Sequence, residues 1–167
     1  MRIAVSGHID LHGRTAEAVT TAITRLLDEL APAPDDLVGL TCLAPGADTI
    51  FARVVLAHGG TLEAIVPATS YRDGLAEFGP DAVSVYDTLL AKAVKVQRLD
   101  HEESTSQAHM DASVAMVDDA EHLIAVWDGQ PARGYGGTGD VVAYAREHGV
   151  PVTVVWPEGA HRGAEAQ

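Results

Sequence analysis

Residues 123–146, LIAVWDGQPARGYGGTGDVVAYAR, decide the fold of this chain of 167 residues. The stretch begins with an uninterrupted apolar run, continues through a loop rich in glycine and ends in a segment rich in alanine and valine. A continuous apolar run predicts a central strand covered on both faces, and the glycines let the backbone turn tightly where a helix begins. The stretch therefore predicts a strand, a glycine-rich loop and a helix, which is one unit of an α/β fold.

The same alternation recurs along the rest of the chain, because short runs rich in valine and isoleucine are each followed by glycine or proline and a helical pattern. Strands are predicted at 3–5, 37–43, 62–66, 123–127 and 152–156, and helices at 14–30, 51–56, 81–91, 106–118 and 141–148. Residues 93–99 fit either a strand or an extension of the helix before them. We predict an α/β, single-domain, Rossmann-like fold over residues 1–157: a doubly wound, mostly parallel sheet of five or six strands flanked by helices. The small polar segment 158–167 is expected to fray.

Charge limits the class of partner. The chain has 11 Lys and Arg against 24 Asp and Glu, a formal net charge of −13 with neutral histidines. Such a surface repels phosphate backbones, so nucleic acid is disfavoured as a partner. A small phosphate ligand is still allowed, because backbone N–H groups or a helix N-terminus bind it locally.

Cysteine content and hydropathy suggest the compartment. Cys42 is alone, so no intramolecular disulfide forms, and a reducing compartment is favoured. No signal-peptide pattern and no run of about 20 apolar residues is present. We expect a cytoplasmic protein without a membrane partner. The eight histidines complete no zinc-ligand spacing, and no metal is expected.

Candidate ligand-binding residues follow the predicted strands, because ligands of such sheets bind outside the carboxyl ends of the strands. The glycine-rich loop before the last helix is the strongest of these candidates, since its backbone N–H groups suit a phosphate. The full set of candidate ligand- or phosphate-binding residues is Ser6, Gly7, His8, Gly46, Ala47, Asp48, Pro67, Tyr71, Arg72, Gly129, Gly136, Gly137, Thr138, Gly139 and Asp140.

Several candidates also have a structural interpretation. The glycine-rich loop fits a flexible turn in which Thr138 or Asp140 caps the next helix. Asp48 fits a helix cap as well as a partner of a ribose hydroxyl. His8 fits a solvated loop position, and Arg72 a surface salt bridge. These alternatives stay open at the level of sequence.

Five motifs taken in order resemble the SLOG superfamily, the Rossmann-like group that includes the Lonely Guy phosphoribohydrolases and the DNA-processing protein A family. The motifs are VSGH at 5–8, LAPGAD at 43–48, IVPATSYRD at 65–73, AVWDG at 125–129 and YGGTGDVVAYAR at 135–146. The resemblance implies a nucleotide or nucleotide derivative bound at the carboxyl ends of the strands. Its phosphate would lie on the helix that follows Gly136–Gly139.

The chain departs from the Lonely Guy motif PGGxGTxxE at the residues that matter for catalysis. Tyr135 replaces the proline, Asp140 stands in place of the threonine, and Val142 and Ala143 occupy the place of the acidic residues. Cleavage of an N-glycosidic bond passes through an oxocarbenium-like state that a carboxylate stabilises. If the protein is an enzyme, Asp128 or Asp140 would be catalytic, with Asp48 as a further carboxylate.

The sequence therefore favours a nucleotide-binding, ligand-sensing protein that needs no cofactor beyond its nucleotide ligand. The alternative is a Lonely Guy-like hydrolase that cleaves the N-glycosidic bond of a nucleoside monophosphate. A third interpretation is a scaffold that self-associates, since the apolar residues of 83–90 suit a homodimer face as well as core packing. Relatives of the resembled group commonly self-associate, so a homodimer is expected.

Overall fold

Parallel strands from the whole length of the chain form one sheet. The structure, a computed structural model, describes residues 1–163. Within them the strands are β1 (Arg2–Gly7), β2 (Val38–Thr41), β3 (Thr61–Val66), β4 (Lys95–Arg98), β5 (His122–Val126) and β6 (Val152–Val155). The helices are α1 (Gly13–Leu30), α2 (Ala47–Ala57), α3 (Tyr71–Gly74), α4 (Ala82–Leu90), α5 (Ser106–Asp118) and α6 (Thr138–Glu147), with short 3₁₀ turns at Pro34–Asp36 and Leu75–Phe78.

The strand order positions the site. The sheet runs β4-β3-β2-β1-β5-β6, and every neighbouring pair is parallel. The chain therefore moves outward from β1 to β4 and then returns to the other side of β1. Loops leave β1 and β5 toward opposite faces at this reversal, which opens a crevice at their carboxyl ends.

Two apolar layers cover the faces of the sheet. Ile3 and Val5 of β1 point into the larger layer, which α1, α2 and α4 complete, whereas Ala4 points into the layer formed with α5 and α6. This alternation follows from the two-residue period of a strand. Tyr86 and Leu89 are buried in the larger layer, so these two residues of 83–90 serve the core.

The predicted α/β fold and its parallel sheet are confirmed. Residues 93–99, which fitted strand or helix, contain the edge strand β4, and helix α5 has the predicted bounds of 106–118. Helix α6 begins at Thr138, inside the glycine-rich loop and three residues before the predicted start of 141. Its first turn therefore belongs to the candidate phosphate loop.

The segment 158–167, for which fraying is expected, is described as far as residue 163. The N–H of Gly163 donates to the carbonyl oxygen of Asp10 at 2.9 Å, and the N–H of His161 donates to Thr15 Oγ1 at 3.3 Å. Residues 164–167 lie outside the described residues. None of the helices within 1–163 combines the length and the apolar character of a membrane-spanning helix.

Candidate functional site

A cavity of about 400 Å³ opens at the carboxyl ends of β1, β2, β3 and β5. Its size falls in the range of small-molecule sites, about 300–1,000 Å³. Most of the residues predicted to bind ligand lie in its wall. These are Ser6, Gly7, His8, Asp48, Pro67, Tyr71, Gly136, Gly137, Thr138 and Gly139. Loops that are far apart in sequence thus meet at one place, as the parallel topology predicts.

The N-terminus of α6 presents unused hydrogen-bond donors to this cavity. Among residues 1–163, no acceptor is found for the backbone N–H groups of Thr138 and Gly139. The next two N–H groups of the helix, of Asp140 and Val141, donate to the carbonyl oxygen of Gly137 at 3.0 and 3.2 Å. Unpaired N–H groups and the positive end of the helix dipole form an anion-binding arrangement.

Asp140 stabilises the glycine-rich loop from within the helix. Its Oδ2 accepts the N–H of Gly136 at 2.9 Å, and the residue is absent from the cavity wall. This bond resembles a capping box, in which a side chain in the first helical turn reaches back to the backbone before it. Asp140 therefore stabilises the turn before α6, and the N-terminus of the helix has no side-chain cap from Thr138 or Asp140.

Glycine is needed in this loop because residues 130–134 pack closely against it. A Cβ atom on Gly137 would lie 2.9 Å from the Cβ of Ala132, and one on Gly139 would lie 3.1 Å from the nitrogen of Ala132. Gly136 adopts a φ of +83°, which side chains rarely allow. The glycines thus let one loop fold over the start of α6.

His8 lies at the crevice between β1 and β5 and is 8% exposed. Its Nε2 lies 3.2 Å from Asp128 Oδ1 and accepts the backbone N–H of Asp128 at 3.2 Å. Burial, followed by the charge of Arg162, lowers the pKa of His8, and the attraction of Asp128 only partly opposes this.

Asp128 is held by its neighbours in the charged form. Burial raises the pKa of Asp128, but the N–H of Gln130 and the contacts with His8 and Arg162 together lower it below its usual value. Oδ1 accepts the N–H of Gln130 at 3.1 Å, and Oδ2 lies 3.8 Å from Arg162 Nη1. Asp128 orders the loop after β5 and is not itself part of the cavity wall.

Asp48 is a buried carboxyl group in the cavity wall, with 6% of the residue exposed. Its Oδ2 accepts from Thr41 Oγ1 at 3.1 Å and from the N–H groups of Cys42 and Ala44 at 3.1 and 3.3 Å. Burial raises the pKa of Asp48 to about 6, although these bonds oppose the rise. Asp48 makes no side-chain cap for α2, whose N-cap is Gly46. It holds the loop after β2 instead.

Asp48→Asn is expected to flatten the dependence of stability on pH. An unfolded aspartate has a pKa near 3.9, so between about pH 4 and 6 the folded state binds more protons than the unfolded state. The contribution of Asp48 to the free energy of unfolding is therefore greatest below pH 4, and it falls by roughly 3 kcal/mol as the pH rises through 6. Urea unfolding of wild type, Asp48→Asn and the exposed control Asp35→Asn from pH 4 to 8 measures the slope. Equal slopes for wild type and Asp48→Asn would contradict this assignment.

Five further candidates, and Asp128, lie outside the cavity wall. They are Gly46, Ala47, Arg72, Gly129 and Asp140. Arg72, the cation expected at the carboxyl end of β3, donates to both oxygens of Asp87 at 2.8 and 2.6 Å on the surface. Helix α4 brings Asp87 within reach, so Arg72 has the salt bridge that the alternative interpretation described.

Gly46 and Ala47 support the site from behind. A Cβ on Gly46 would lie 2.5 Å from the carbonyl oxygen of Ile9, and the N–H of Ala47 donates to the carbonyl oxygen of His8 at 3.1 Å. The loop after β2 therefore packs against the loop after β1. The close approach that glycine permits here is between two stretches of backbone.

Two arginines in the cavity wall were not among the candidates from sequence. Arg133 lies in the glycine-rich stretch that decides the fold, where a cation among the glycines was the available signal. Arg162 comes from the segment expected to fray, and nothing in the sequence indicates its return to the site. His109 of α5 also lines the cavity, with its Nε2 2.6 Å from Ser104 Oγ and its ring against Tyr71.

No metal centre is assembled in the described part of the chain. Among residues 1–163, no group of three or more His, Cys, Asp or Glu side chains is arranged to hold an ion. The described residues of the wall offer a ligand backbone N–H groups, the side chains of Arg133, Arg162, His8 and His109, and the carboxyl group of Asp48.

Solved structures share this architecture. DNA processing protein A from Streptococcus pneumoniae matches with a TM-score of 0.63 and 19% identity over 95% of this chain. DNA processing protein A from Helicobacter pylori matches with a TM-score of 0.64 and 11% identity over 98% of this chain. TM1055 matches with a TM-score of 0.54 and 13% identity over 90% of this chain. This chain spans 51%, 68% and 71% of those three chains, so it covers about half of the first.

These likenesses confirm the Rossmann-like fold that the resemblance implies. No protein-family model matches the chain, and no curated protein sequence matches it either. At identities below 20% the structural matches establish the fold alone.

Proposed function

We propose that this protein binds a nucleotide or nucleotide derivative in the cavity and acts as a ligand-sensing protein. The observation that supports this most is the N-terminus of α6, where the N–H groups of Thr138 and Gly139 have no acceptor among residues 1–163. Arg133 and Arg162 lie in the same wall. These donors suit a phosphate, and they act locally in a protein whose net charge is −13.

The opposite part of the wall suits the rest of a nucleotide. Asp48 follows β2, and α6 follows β5, with β1 between the two strands. Strands lie about 4.8 Å apart, so β2 and β5, which carry the two groups, are separated by roughly 10 Å across the sheet. A nucleoside monophosphate bridges such a span, with its phosphate at α6 and its sugar or base at Asp48 and Tyr71. The carboxyl group of Asp48 would accept a hydrogen bond from a ribose hydroxyl.

A polymeric nucleic acid suits the chain less well. The Helicobacter pylori relative is described as binding single-stranded DNA, but this chain has a formal charge of −13. Phosphate-backbone binding depends on several cations that release counterions. A homodimer and a cytoplasmic location belong to this proposal as well, and light scattering and cell fractionation address them.

Hydrolysis of an N-glycosidic bond is the second candidate function, and the position of Asp48 favours it. Among the described residues of the wall, Asp48 is the one carboxyl group. Burial raises its pKa to about 6, so near neutral pH a fraction of the group remains able to donate a proton. Asp140 is bonded to Gly136, and Asp128 contacts His8 and Arg162. Asp48 therefore replaces these two aspartates as the catalytic candidate.

A panel of nucleoside mono- and diphosphates, cyclic nucleotides, ADP-ribose and a single-stranded oligonucleotide tests both functions. A ligand at about 100 times its Kd stabilises the fold by about 2.7 kcal/mol, which for a domain of this size raises Tm by roughly 5–10 °C. We expect such a shift with at least one small nucleotide and none with the oligonucleotide. No shift with any nucleotide would contradict the proposal, and release of free base, detected by chromatography, would establish the hydrolase.

A further inference from the structure

The segment 157–163, here named the C-terminal strap, crosses the loop after β1. Gly163 forms a parallel bridge with Leu11, and its N–H donates to the carbonyl oxygen of Asp10 at 2.9 Å. His161 bonds Thr15 at the start of α1 through its N–H. These contacts place the intervening residue, Arg162, in the wall of the cavity.

The guanidinium of Arg162 has an unmet hydrogen-bonding requirement. Its Nε is fully buried and finds no acceptor among residues 1–163. Its Nη1 lies 3.8 Å from Asp128 Oδ2, which is an ion-pair distance and longer than a hydrogen bond. One quarter of the side chain is exposed. A buried charged donor without a partner is costly and calls for an explanation.

An arginine with a purely structural role makes its bonds within the protein. Arg72 shows this arrangement, since it donates from two nitrogens to Asp87 at 2.8 and 2.6 Å. Arg162 does not make such a pair with Asp128, because Oδ2 lies 3.8 Å from Nη1 and Oδ1 accepts from Gln130 and contacts His8. The guanidinium therefore lacks a full set of acceptors among residues 1–163, and the exposed quarter of its side chain is the part that can meet a ligand in the cavity.

The local charges determine what kind of acceptor fits. Arg133 and Arg162 are both in the wall, Asp48 is the carboxyl group among its described residues, and burial together with these arginines keeps His8 neutral. A guanidinium is always charged, and its planar donors match the oxygens of a phosphate. An anion at this position would accept from the guanidinium and balance the charge.

We propose that Arg162 is an anion-binding residue of the cavity, that its guanidinium donates to a phosphate oxygen of the ligand, and that the C-terminal strap is thereby coupled to ligand binding. This inference rests on the proposed nucleotide site and deepens it. Coupling is reciprocal: a ligand that bonds Arg162 stabilises the docked strap, and a docked strap raises the affinity for the ligand. The strap is then the element through which occupancy of the cavity is signalled.

Calorimetric titration with ADP and with inorganic phosphate tests the role of Arg162. Arg162→Gln is expected to lower the affinity for both probes at least tenfold, while Tm of the free protein is unchanged or higher because a buried unpaired charge is removed. Arg162→Lys keeps the positive charge but lacks the planar donors of a guanidinium. Its affinity for each probe should therefore lie between the affinities of wild type and Arg162→Gln. Arg98→Gln, on the exposed edge strand β4, makes the same charge change away from the cavity and should bind as wild type does.

Hydrogen exchange of the strap amides provides a readout that is independent of affinity. ADP should slow exchange at 161–163 in wild type and leave it unchanged in Arg162→Gln. If wild type binds ADP and Arg162→Gln binds it equally well, the inference is overturned and the nucleotide site stands. If inorganic phosphate binds through Arg162 and no nucleotide binds, the inference stands and the nucleotide proposal falls. Binding of neither inorganic phosphate nor any nucleotide of the panel overturns both proposals.

Discussion

Gly46→Ala is expected to lower the free energy of unfolding by about 3 kcal/mol or more, the largest stability loss that we predict for a single methyl group. Gly46 has φ +81° and ψ −121°, a conformation that residues with a Cβ rarely adopt. The added Cβ would also lie 2.5 Å from the carbonyl oxygen of Ile9 and 2.6 Å from that of His8. Both contacts are to backbone, so no side-chain rotation relieves them.

Two other glycines separate backbone strain from this steric contact. Gly129 has a φ of +78° with nothing within 4 Å of an added Cβ, so Gly129→Ala should cost only about 1–2 kcal/mol. Gly74 has an ordinary φ of −64° and equally open surroundings, so Gly74→Ala should be neutral or stabilising by up to about 1 kcal/mol. Urea unfolding of the three variants measures the series. A loss for Gly46→Ala no larger than that for Gly129→Ala would show that the loop after β1 moves aside.

The fold was predictable because its signals are local. The apolar run at 123–127 is long enough to identify a buried strand, and glycine or proline after each run marks the carboxyl end of the strand. Parallel strands bring those ends to one edge, so the loops that form the cavity were also predictable. The start of α6 at Thr138 was missed because glycines at a helix entry lower its helical propensity.

Side-chain partners were not predictable because they depend on residues far apart in sequence. The sequence makes Arg72 a candidate phosphate ligand, but α4 places Asp87 so that its Oδ1 accepts from Arg72 Nε at 2.8 Å. A glycine at position 46 allows either a ligand or another stretch of backbone to approach closely. In the structure the groups that approach Gly46 are the backbone carbonyl oxygens of His8 and Ile9. Arg162 reaches the cavity through contacts made by Gly163 and His161, 146 or more residues from their partners. Sequence patterns specify an edge of the sheet, whereas tertiary contacts decide which charges remain available there.

Gly137→Asp is expected to abolish binding of a phosphate-bearing ligand while the fold is retained. Gly137 is the N-cap of α6 with φ −72° and ψ 172°, a conformation that aspartate adopts readily at this position. The new carboxylate would accept the N–H of Gly139, one of the two donors without an acceptor in the described chain. It would also place a negative charge beside the phosphate, and two charges about 4 Å apart near a protein surface repel by about 4 kcal/mol, close to a thousandfold in Kd.

Gly137→Asn is the matched control, because asparagine has the same shape and caps the same N–H without the charge. Both variants are best made together with Ala132→Gly, since an added Cβ at Gly137 would lie 2.9 Å from that of Ala132. Calorimetry should find a modest loss of ligand affinity in the Gly137→Asn variant, because the asparagine side chain occupies the N–H of Gly139. The Gly137→Asp variant should show no measurable binding. Equal affinities of the two variants would place the phosphate away from α6. The helix dipole and its free N–H groups would then serve the fold alone.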